Sequence, residues 1–396
     1  MGRTVKSRTE NSTALLLGLG YTARALVPVL KARGYDIIGT SRSAEKARAL
    51  SAALGIKIIE FSGFASAALK TAIAKADIII SSAPPADDGR DPVITALPDI
   101  AKIARHCHWA GYLSATSVYG DREGRWAFED ELLFPTTQRG RNRISAELAW
   151  LESGLPVHVF RLAGIYGPEI LGQSRNAFQR LKTGRVKAVI KPGHLVNRIH
   201  VEDIATALTA SIDRPDPVQV YNIADGNPAP PQDVLEFAAD LIGEARPKRV
   251  DYKTANLSAM ARSFYSETKR IDISRARSEL GWTPQYPTYR DGLCDIYRRE
   301  TYGPKSFLLA GHIIVPDEDL EDIRRLLSEH KKATLAEPGC LRFDVFQDLG
   351  DKHKFHVFEA FKSEKAFQDH KARTAGTDWV KVSANIERFY TVSKAR

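Results

Sequence analysis

Apolar residues in the first part of the chain fall alternately into short continuous runs and helical periods. The run at residues 14–17 precedes a glycine turn, an amphipathic segment and a second apolar run, a pattern typical of a strand, a helix and a further strand. Helices predicted from Ala44, from Ser66 and from about Ile94 to Trp109 continue the alternation, with strands between them. We therefore expect a mostly parallel sheet with helices on both faces, whose ligands bind at the carboxyl ends of the strands.

Downstream of about residue 157 the alternation loosens, and proline- and glycine-rich loops indicate a smaller substrate-binding subdomain. A turn at Gly303 and Pro304 then precedes elements in the order strand, helix, strand, strand, helix, strand. The sequence thus predicts two domains. Residues 1–302 are assigned to the α/β class with a doubly wound parallel sheet, and residues 303–396 to the α+β class with a ferredoxin-like antiparallel sheet.

The composition is that of an ordinary globular protein, with 396 residues, 43% hydrophobic and 27% charged. The Lys and Arg behind the net charge of +9 form no basic tract with interleaved aromatics, so we expect an anionic small ligand and no nucleic acid. No apolar run reaches the roughly 18 residues of a membrane span, and the opening residues lack the apolar region of a signal peptide. Three widely spaced cysteines suggest neither disulfides nor a metal motif. These features predict a cytoplasmic protein.

The glycine turn after the first strand carries the nucleotide hypothesis. Gly18 permits a tight turn, Gly20 lets the backbone approach a pyrophosphate, and the helix that opens with Tyr21, Thr22 and Ala23 offers N–H groups to an anion. The strand before this turn and the helix and strand after it are the context in which a Gly-x-Gly pair indicates dinucleotide binding.

The end of the second strand bears on the choice of cofactor. NAD sites usually have an acidic residue there for the ribose 2′-hydroxyl, whereas this chain has Thr40, Ser41, Arg42 and Ser43. Because an arginine pairs with a 2′-phosphate and an acid repels it, we expect NADP(H), with NAD as the alternative. The competing interpretation is that Arg42 and Lys46 are solvated surface charges.

Several motifs occur in an order that resembles the extended and atypical short-chain dehydrogenase/reductases, also called the NAD-dependent epimerase/dehydratase family. They span residues 14–302 and read GLGYTA, SSAPPADDGRDPV, LSATSVYGD, RLAGIYGPE, NRIHVEDIA and YNIADGNPAP. The resemblance implies a Rossmann fold with a nucleotide at Gly18, Gly20 and Arg42. It places the nicotinamide end near Ala83, Pro84 and Thr116. The glycine turn departs from the extended pattern and is closer to the atypical branch.

The catalytic pair of that family is missing from the sequence. The family uses a Tyr whose pKa is lowered by a Lys four residues later on the same helix face. Alignment on Glu147 puts Arg141 at the Tyr position and Ser145 at the Lys position, and Ala115 stands at the usual hydroxyl position. Since an arginine stays protonated near neutral pH, Arg141 cannot act as a general acid or base.

The remaining catalytic candidates of the front domain are hydroxyl groups. A register shift of one residue makes Thr116 the substrate-binding hydroxyl, and Ser117 and Tyr119 follow it, although Tyr119 is commonly structural in the family. His106 and His108 lie two apart on a predicted helix and so point to different faces, which argues against a metal site. Two further residues receive structural interpretations: His200 as a hydrogen-bonded packing residue and Asp203 as a helix cap.

Residues 307–390, which include EPGCLRFDVFQD and FHVFEAFKSEKAFQDHKART, resemble the antibiotic biosynthesis monooxygenase domain. The resemblance implies two ferredoxin-like sheets paired into a dimeric α/β barrel. The strands within residues 342–347 and 355–361 also carry more large apolar side chains than one helical layer covers, so a homodimer is expected. His370 is the candidate to orient or deprotonate a phenol-like substrate, with a surface or capping role as the alternative. Trp379 lines the pocket or belongs to the core.

Two hypotheses follow for the whole chain. In the first, the protein is an NADP(H)-binding oxidoreductase that acts on a small carbonyl or quinoid compound and is fused to a monooxygenase-like dimerisation domain. In the second, it is a catalytically silent NADPH sensor, because the Tyr–Lys pair is absent, and its back domain assembles the dimer.

Overall fold

The computed structural model describes residues 12–184, 186–215, 219–348, 350–384 and 386–395. The opening segment considered for a targeting signal therefore lies outside the described residues. Among the described helices, none combines the length and the apolar character that crossing a bilayer requires.

Eighteen strands and fifteen helices are assigned in the described ranges. The strands are β1 (Thr13–Leu17), β2 (Asp36–Ser41), β3 (Lys57–Glu60), β4 (Ile78–Ser81), β5 (Trp109–Ala115), β6 (Trp126–Ala127), β7 (Val157–Leu162), β8 (Gly164–Ile170), β9 (Gln173–Arg175), β10 (Ala188–Ile190), β11 (Arg198–His200), β12 (Gln219–Ile223), β13 (Arg249–Asp251), β14 (Arg270–Ile271), β15 (Phe307–Ile314), β16 (Cys340–Gln347), β17 (Lys354–Phe361) and β18 (Glu387–Ser393). The helices are α1 (Tyr21–Ala32), α2 (Ala44–Leu54), α3 (Ala67–Lys75), α4 (Pro92–Ala96), α5 (Ile100–Ile103), α6 (Gln138–Leu151), α7 (Ala177–Lys182), α8 (Val201–Asp213), α9 (Pro231–Ile242), α10 (Ala259–Tyr265), α11 (Ser274–Leu280), α12 (Tyr289–Tyr302), α13 (Leu320–Leu335), α14 (Glu364–Thr374) and α15 (Asp378–Val382).

The chain forms two compact units. The first comprises residues 1–175, 189–231 and 250–287, and the second comprises residues 176–188, 232–249 and 288–396. The boundary expected at Gly303 concerns independent folding and stays a prediction.

The first unit is built on a seven-stranded parallel sheet with the order β12-β7-β5-β4-β1-β2-β3. Side chains of Ala14 and Leu16 on β1 enter one apolar core and those of Leu15 and Leu17 enter another, so the sheet is buried on both faces. This explains why its central strands are continuous apolar runs. The strand order reverses between β1 and β4, and such a switch point opens the crevice in which nucleotides bind. The doubly wound fold expected from the sequence is confirmed.

The helix expected from Ile94 to Trp109 is wrong. The segment forms two short helices, α4 and α5, and Trp109 already begins strand β5. Pro98 follows the end of α4, and a proline restricts the residue before it to extended backbone, which stops a helix. His106 and His108 consequently lie in the connection before β5. Within the described ranges, no group of three His, Cys, Asp or Glu residues is arranged to hold a metal ion.

The carboxyl-terminal part of the second unit has the expected βαββαβ order, and its antiparallel sheet runs β16-β17-β15-β18. The second helix of this pattern is divided into α14 and α15, with a turn around Gly376 between them. Side chains such as Phe307, Phe343 and Phe355 form a core with α13 to α15 on one face of the sheet. The ferredoxin-like fold is therefore confirmed.

The other face of this sheet is covered by helices of the same unit, which overturns the reason given for dimerisation. The Arg298 guanidinium on α12 donates to Ser393 Oγ on β18, 2.9 Å away, and Arg342 on β16 donates to the carbonyl of Leu241 on α9. Leu308 and Phe358, which point to this face, are buried. The sequence argument missed this cover because α9 lies about seventy residues upstream of β15.

Candidate functional site

The glycine turn between β1 and α1 is held by the neighbouring strands β2 and β4. Gly18 has φ +90°, a conformation that favours glycine, and its N–H donates to Thr40 Oγ1 at 2.8 Å. The Ser82 hydroxyl donates to the Gly18 carbonyl. A Cβ on Gly18 would lie 3.2 Å from the Ala83 nitrogen, so the turn also packs closely on the end of β4.

Gly20 differs from Gly18 because the protein's own packing does not require a glycine there. Its φ is −78°, which any residue adopts, and a Cβ on Gly20 would meet no protein atom within 4 Å. Gly20 is the N-cap of α1, whose first turn holds no acidic residue. An open approach to an uncapped helix N-terminus is what a pyrophosphate needs, so the turn fits a dinucleotide.

The end of β2 presents one exposed arginine. Ser41 is buried, whereas Arg42 is exposed and has no hydrogen bond or ion pair within the described residues. Ser43 caps α2, because its hydroxyl accepts from the Lys46 N–H at 3.3 Å. The first acid after it along the chain is Glu45, in the first turn of α2. An unpaired guanidinium at this position fits a 2′-phosphate.

The candidate hydroxyls lie on a 3-10 turn, Thr116–Tyr119, that follows β5. Tyr119 is buried; its hydroxyl donates to Asn222 Oδ1 at 2.7 Å and accepts from Arg161 at 2.9 Å. Burial raises the pKa of Tyr119 to about 12, which disfavours proton exchange near neutral pH. The Ser117 hydroxyl is buried without a partner among the described residues, and Thr116 is half-buried. The geometry favours a structural role for Tyr119 and leaves Thr116 as the more accessible hydroxyl.

Tyr119 belongs to a buried polar network that the sequence did not reveal. Arg161 on β7 forms an ion pair of 2.9 Å with Glu147 on α6, and both side chains are almost fully buried. The Ser114 hydroxyl also donates to Glu147. This network binds α6 to the interior strands β5 and β7, so the position of α6 against the sheet depends on it.

The register assigned to α6 from the sequence is wrong. Arg141 is exposed and bonds only Gln138 on its own helix, at 3.1 Å, and Ser145 is exposed and donates to the Arg141 carbonyl. Arg143 instead contacts β5, because its guanidinium donates to the Tyr112 hydroxyl at 3.0 Å and to a backbone carbonyl of that strand. The i, i+4 pair on this helix face is Arg139 and Arg143, since the buried side of α6 is set by Gly140, Asn142, Ala146, Glu147 and Trp150.

A third arginine approaches the same region from β9. The Arg175 guanidinium lies 5.5 Å from the ring centroid of Tyr21, the first residue of α1. Tyr21 is buried and donates to the Pro168 carbonyl at 2.8 Å. Partial desolvation and the charges of Arg143 and Arg175 lower the pKa of Arg139, so both neighbouring guanidiniums repel that of Arg139.

The motif containing His200 and Asp203 has a structural role that differs in detail from the expectation. His200 is the N-cap of α8, and its Nδ1 accepts from the Glu202 N–H at 3.3 Å. The Asp203 carboxylate accepts from the N–H groups of Gln285 and Tyr286. Asp203 therefore anchors a distant loop, and the expectation that it caps α8 is wrong.

The second unit contains a cavity of about 50 Å³ between the sheet and its helices, and Trp379 lines it. The Trp379 ring stacks on His330 with ring centroids 4.5 Å apart. Glu359 on β17 also lines the cavity, and desolvation raises the pKa of this carboxyl to about 7. Burial lowers the pKa of His330 to about 4, so this histidine is neutral at physiological pH.

His370 is buried beside this cavity but is not among the residues that line it. Its Nδ1 lies 3.0 Å from Glu337 Oε1, and Arg373 donates to the same carboxylate. Burial lowers the pKa of His370, against the opposing influence of Glu337. The structure thus shows His370 in an internal hydrogen-bonded position and excludes the surface position considered as an alternative.

A solved structure from Silicibacter pomeroyi, of a conserved protein of unknown function, has 46% sequence identity with this chain. The matched region covers 72% of this chain and 98% of the Silicibacter pomeroyi chain, and the TM-score is 0.67. This chain belongs to the same family. Protein YeeZ of Escherichia coli is 29% identical over 294 residues, which are 69% of this chain and 95% of that protein.

The fold of the first unit is also that of NAD-dependent epimerases and dehydratases. The structure of dTDP-glucose 4,6-dehydratase from Bacillus anthracis, solved with NAD, shares 20% sequence identity with this chain. The matched region covers 71% of this chain and 94% of the dehydratase, and the TM-score is 0.57. A family model described as NADP oxidoreductase, coenzyme F420-dependent, matches residues 13–90. The first unit therefore has the Rossmann fold that its motifs predicted, and nucleotide binding stays a prediction.

The family model of the antibiotic biosynthesis monooxygenases matches residues 306–382. This range contains all elements from β15 to α15, which form the ferredoxin-like fold with β18. The resemblance stated for the back domain is confirmed, and the chain joins a Rossmann fold to a region that matches this family model.

The structure brings the predicted cofactor residues together at the carboxyl ends of three neighbouring parallel strands. They lie at or after the ends of β1, β2 and β4: Gly18, Gly20, Tyr21, Thr22, Ala23, Ser41, Arg42, Ser43, Ala83 and Pro84. Their role in binding stays a prediction. The sequence analysis missed Ser82, which bonds the turn, and the arginines Arg139, Arg143 and Arg175. An i, i+4 spacing of Arg139 and Arg143 was available as a signal, but Arg141 between them concealed which arginine contacts β5.

Proposed function

We propose that the first unit binds NADP(H) in preference to NAD(H) and uses it to reduce a small carbonyl or quinoid compound. The observation that carries this proposal is the exposed, unpaired Arg42 at the end of β2, next to a glycine turn whose Gly20 leaves the α1 N-terminus open. The bound cofactor would supply a hydride. Arg42 would pair with its 2′-phosphate, and the backbone at Gly20 would approach its pyrophosphate.

The choice of a quinoid or activated carbonyl follows from the missing proton donor. Neither Arg139 nor Arg143 can release a proton near neutral pH, and Tyr119 is held between Arg161 and Asn222. A quinone that accepts a hydride becomes a resonance-stabilised anion, which water can protonate. Thr116, half-buried at the end of β5, would donate a hydrogen bond to the substrate oxygen.

Nucleotide preference tests the binding part of the proposal. Titration of the full chain by fluorescence should show NADPH binding at least about tenfold more tightly than NADH, the scale of one charge-assisted hydrogen bond. Arg42→Glu should abolish or reverse the preference, since a carboxylate would face the 2′-phosphate. Arg48→Glu, at an exposed position of α2, makes the same charge change and should preserve it. Equal affinities in the unmodified protein would remove the Arg42 argument.

A silent NADPH sensor is the second candidate function, favoured by the absence of an exchangeable proton on the inward face of α6. Oxidation of NADPH with a panel of quinones and small carbonyls separates the two candidates. Turnover supports the reductase, and tight NADPH binding without turnover supports the sensor. Arg141→Ala should leave any turnover intact, because Arg141 faces away from β5 and bonds only Gln138.

For the second unit we propose association of two copies through the sheet edge. Strand β18 is an edge of the four-stranded sheet, and its Phe389 and Val392 are each 50% exposed. An exposed apolar edge strand is a template for pairing with another chain. Light scattering of the full chain should give a dimer, and Val392→Lys should give a monomer. A monomeric unmodified chain would contradict this proposal. The cytoplasmic location expected from the sequence stays a prediction.

A monooxygenase activity of the second unit receives less support. The cavity of about 50 Å³ beside Trp379 and Glu359 is well below the roughly 300 Å³ of ordinary small-molecule sites. His370, the candidate base, bonds Glu337 and does not line this cavity. Oxygen uptake with a panel of quinols would nevertheless establish the activity, and His370→Ala should then reduce it.

A further inference from the structure

Three arginines lie near β5 and the start of α1: Arg139 and Arg143 on α6, and Arg175 at the end of β9. Arg139 and Arg143 lie four residues apart and so share one face of α6. Arg143 is fixed against β5, because it donates to the Tyr112 hydroxyl and to the Leu113 carbonyl. Arg175, at the end of β9, lies over the ring of Tyr21, directly after the glycine turn.

The charges of this arginine cluster are only partly offset by neighbouring acids, because the Asp91 carboxylate interacts with Arg143 alone of the three. The side chains of Arg139 and Arg175 form no hydrogen bond or ion pair within the described residues. The acids nearest to Arg143 are engaged elsewhere. The Glu147 carboxylate binds Arg161 and Ser114, and the Asp91 carboxylate accepts from the first N–H groups of α4 and from Trp150.

Such a cluster is costly in the protein alone. Desolvation and the charges of Arg143 and Arg175 all lower the pKa of Arg139, so its charged form is disfavoured where it lies. Repulsion between three guanidiniums is offset when an anion lies between them, and the planar fork of an arginine matches the oxygens of a carboxylate or a phosphate.

We propose that Arg139, Arg143 and Arg175 bind an oxyanion group of the substrate, a carboxylate or a phosphate, and so restrict the enzyme to anionic substrates. The inference rests on the proposed function, because it assigns the substrate of the same site. The cluster occupies the helix face that carries the Tyr–Lys pair in related enzymes. Here that face holds the substrate by charge and cannot exchange its proton.

Three aldehydes with a common ring provide the probes: benzaldehyde, 4-carboxybenzaldehyde and 4-formylphenyl phosphate. Their binding to the full chain is measured by calorimetry, with and without saturating NADP⁺. We expect at least one anionic aldehyde to bind about tenfold or more tightly than benzaldehyde, the scale of a charge-assisted contact. The comparison of the two anionic aldehydes distinguishes the carboxylate from the phosphate.

Variants locate the binding in the arginine cluster. Arg139→Gln and Arg175→Gln should each weaken binding of the preferred aldehyde about tenfold, and Arg141→Gln, which removes the same charge from the exposed side of α6, should change it less than twofold. NADPH affinity is measured separately and should stay within twofold in all three variants.

The proposal is overturned if neither anion binds more tightly than benzaldehyde, or if Arg141→Gln has the same effect as the other two variants. It is also overturned if Arg139→Gln and Arg175→Gln weaken NADPH and leave the aldehydes unaffected, since the cluster would then serve the cofactor phosphates. If NADPH does not bind at all, the proposed function fails, and the titrations without NADP⁺ still decide whether the cluster binds an anion.

Discussion

The carboxyl of Glu359 should make the second unit less stable as the pH rises. Its pKa is raised from the ordinary 4.5 to about 7 by desolvation, with a smaller contribution from the negative charge of Glu337. Between these two values the unfolded chain loses the Glu359 proton and the folded chain keeps it. The free energy of unfolding therefore falls as the pH rises from about 4.5 to about 7, and it changes little from this source above that range.

The size of the effect follows from the shift. At about 1.4 kcal/mol per pKa unit, raising the pKa from 4.5 to about 7 costs about 3 kcal/mol of stability above pH 7. Glu359→Gln keeps the size of the side chain and removes the ionisation. We therefore compare the free energy of unfolding of the variant with that of the unmodified chain at two pH values. The difference in favour of the variant should be larger at pH 8 than at pH 4.5, by up to about 3 kcal/mol.

Hydrogen–deuterium exchange of peptides from β15 and β17, corrected for the intrinsic pH dependence of exchange, reports this stability in the full chain. Glu321→Gln, at an exposed position of α13, is the matched control and should show no comparable change with pH. A difference between Glu359→Gln and the unmodified chain that stays constant from pH 4.5 to pH 8 would refute the reasoning. It would mean that Glu359 is as well solvated in the folded state as in the unfolded state.

Three other predictions concern packing and the glycine turn. Gly20→Val should leave thermal unfolding unchanged, because no protein atom lies within 4 Å of the added Cβ, and should abolish NADPH binding in a fluorescence titration; retained binding would contradict the assigned role of the turn. Arg161→Met should destabilise the first unit by about 3–5 kcal/mol in denaturant unfolding, since it leaves the buried Glu147 carboxylate without its ion pair; a loss below about 1 kcal/mol would show that water replaces the arginine. A chain of residues 303–396 should fold and associate, because removal of α9 and α12 uncovers Leu308 and Phe358; a folded monomer by light scattering would disprove this.

Patterns that involve neighbouring residues were predictable from the sequence. The continuous apolar runs, the glycine turn and the order of strands and helices in the back domain depend on local spacing, and the structure agrees with them. Arg42 was also identified in this way, because its place at the end of a strand follows from the local pattern. The helix predicted from Ile94 to Trp109 failed at Pro98, because a proline restricts the residue before it to extended backbone and so stops α4.

The face of α6 that points inward was decided only by the tertiary structure. Arg139, Arg141 and Arg143 alternate within five residues, and the spacing alone does not show which of them contact β5. The choice depends on the burial of Glu147 against Arg161, a residue of strand β7. A helix turns by about 100° per residue, so a register error of two residues moves the predicted catalytic positions to the opposite side.

The cover of the back-domain sheet likewise came from helices that precede the predicted back domain. The apolar face that seemed to require a second copy is packed against α9 and α12, which precede the sheet in sequence. A sequence pattern shows that a face is apolar and must be buried. Which element buries it is decided by the packing of the whole unit, because the hydrophobic effect rewards any apolar cover equally and has no direction.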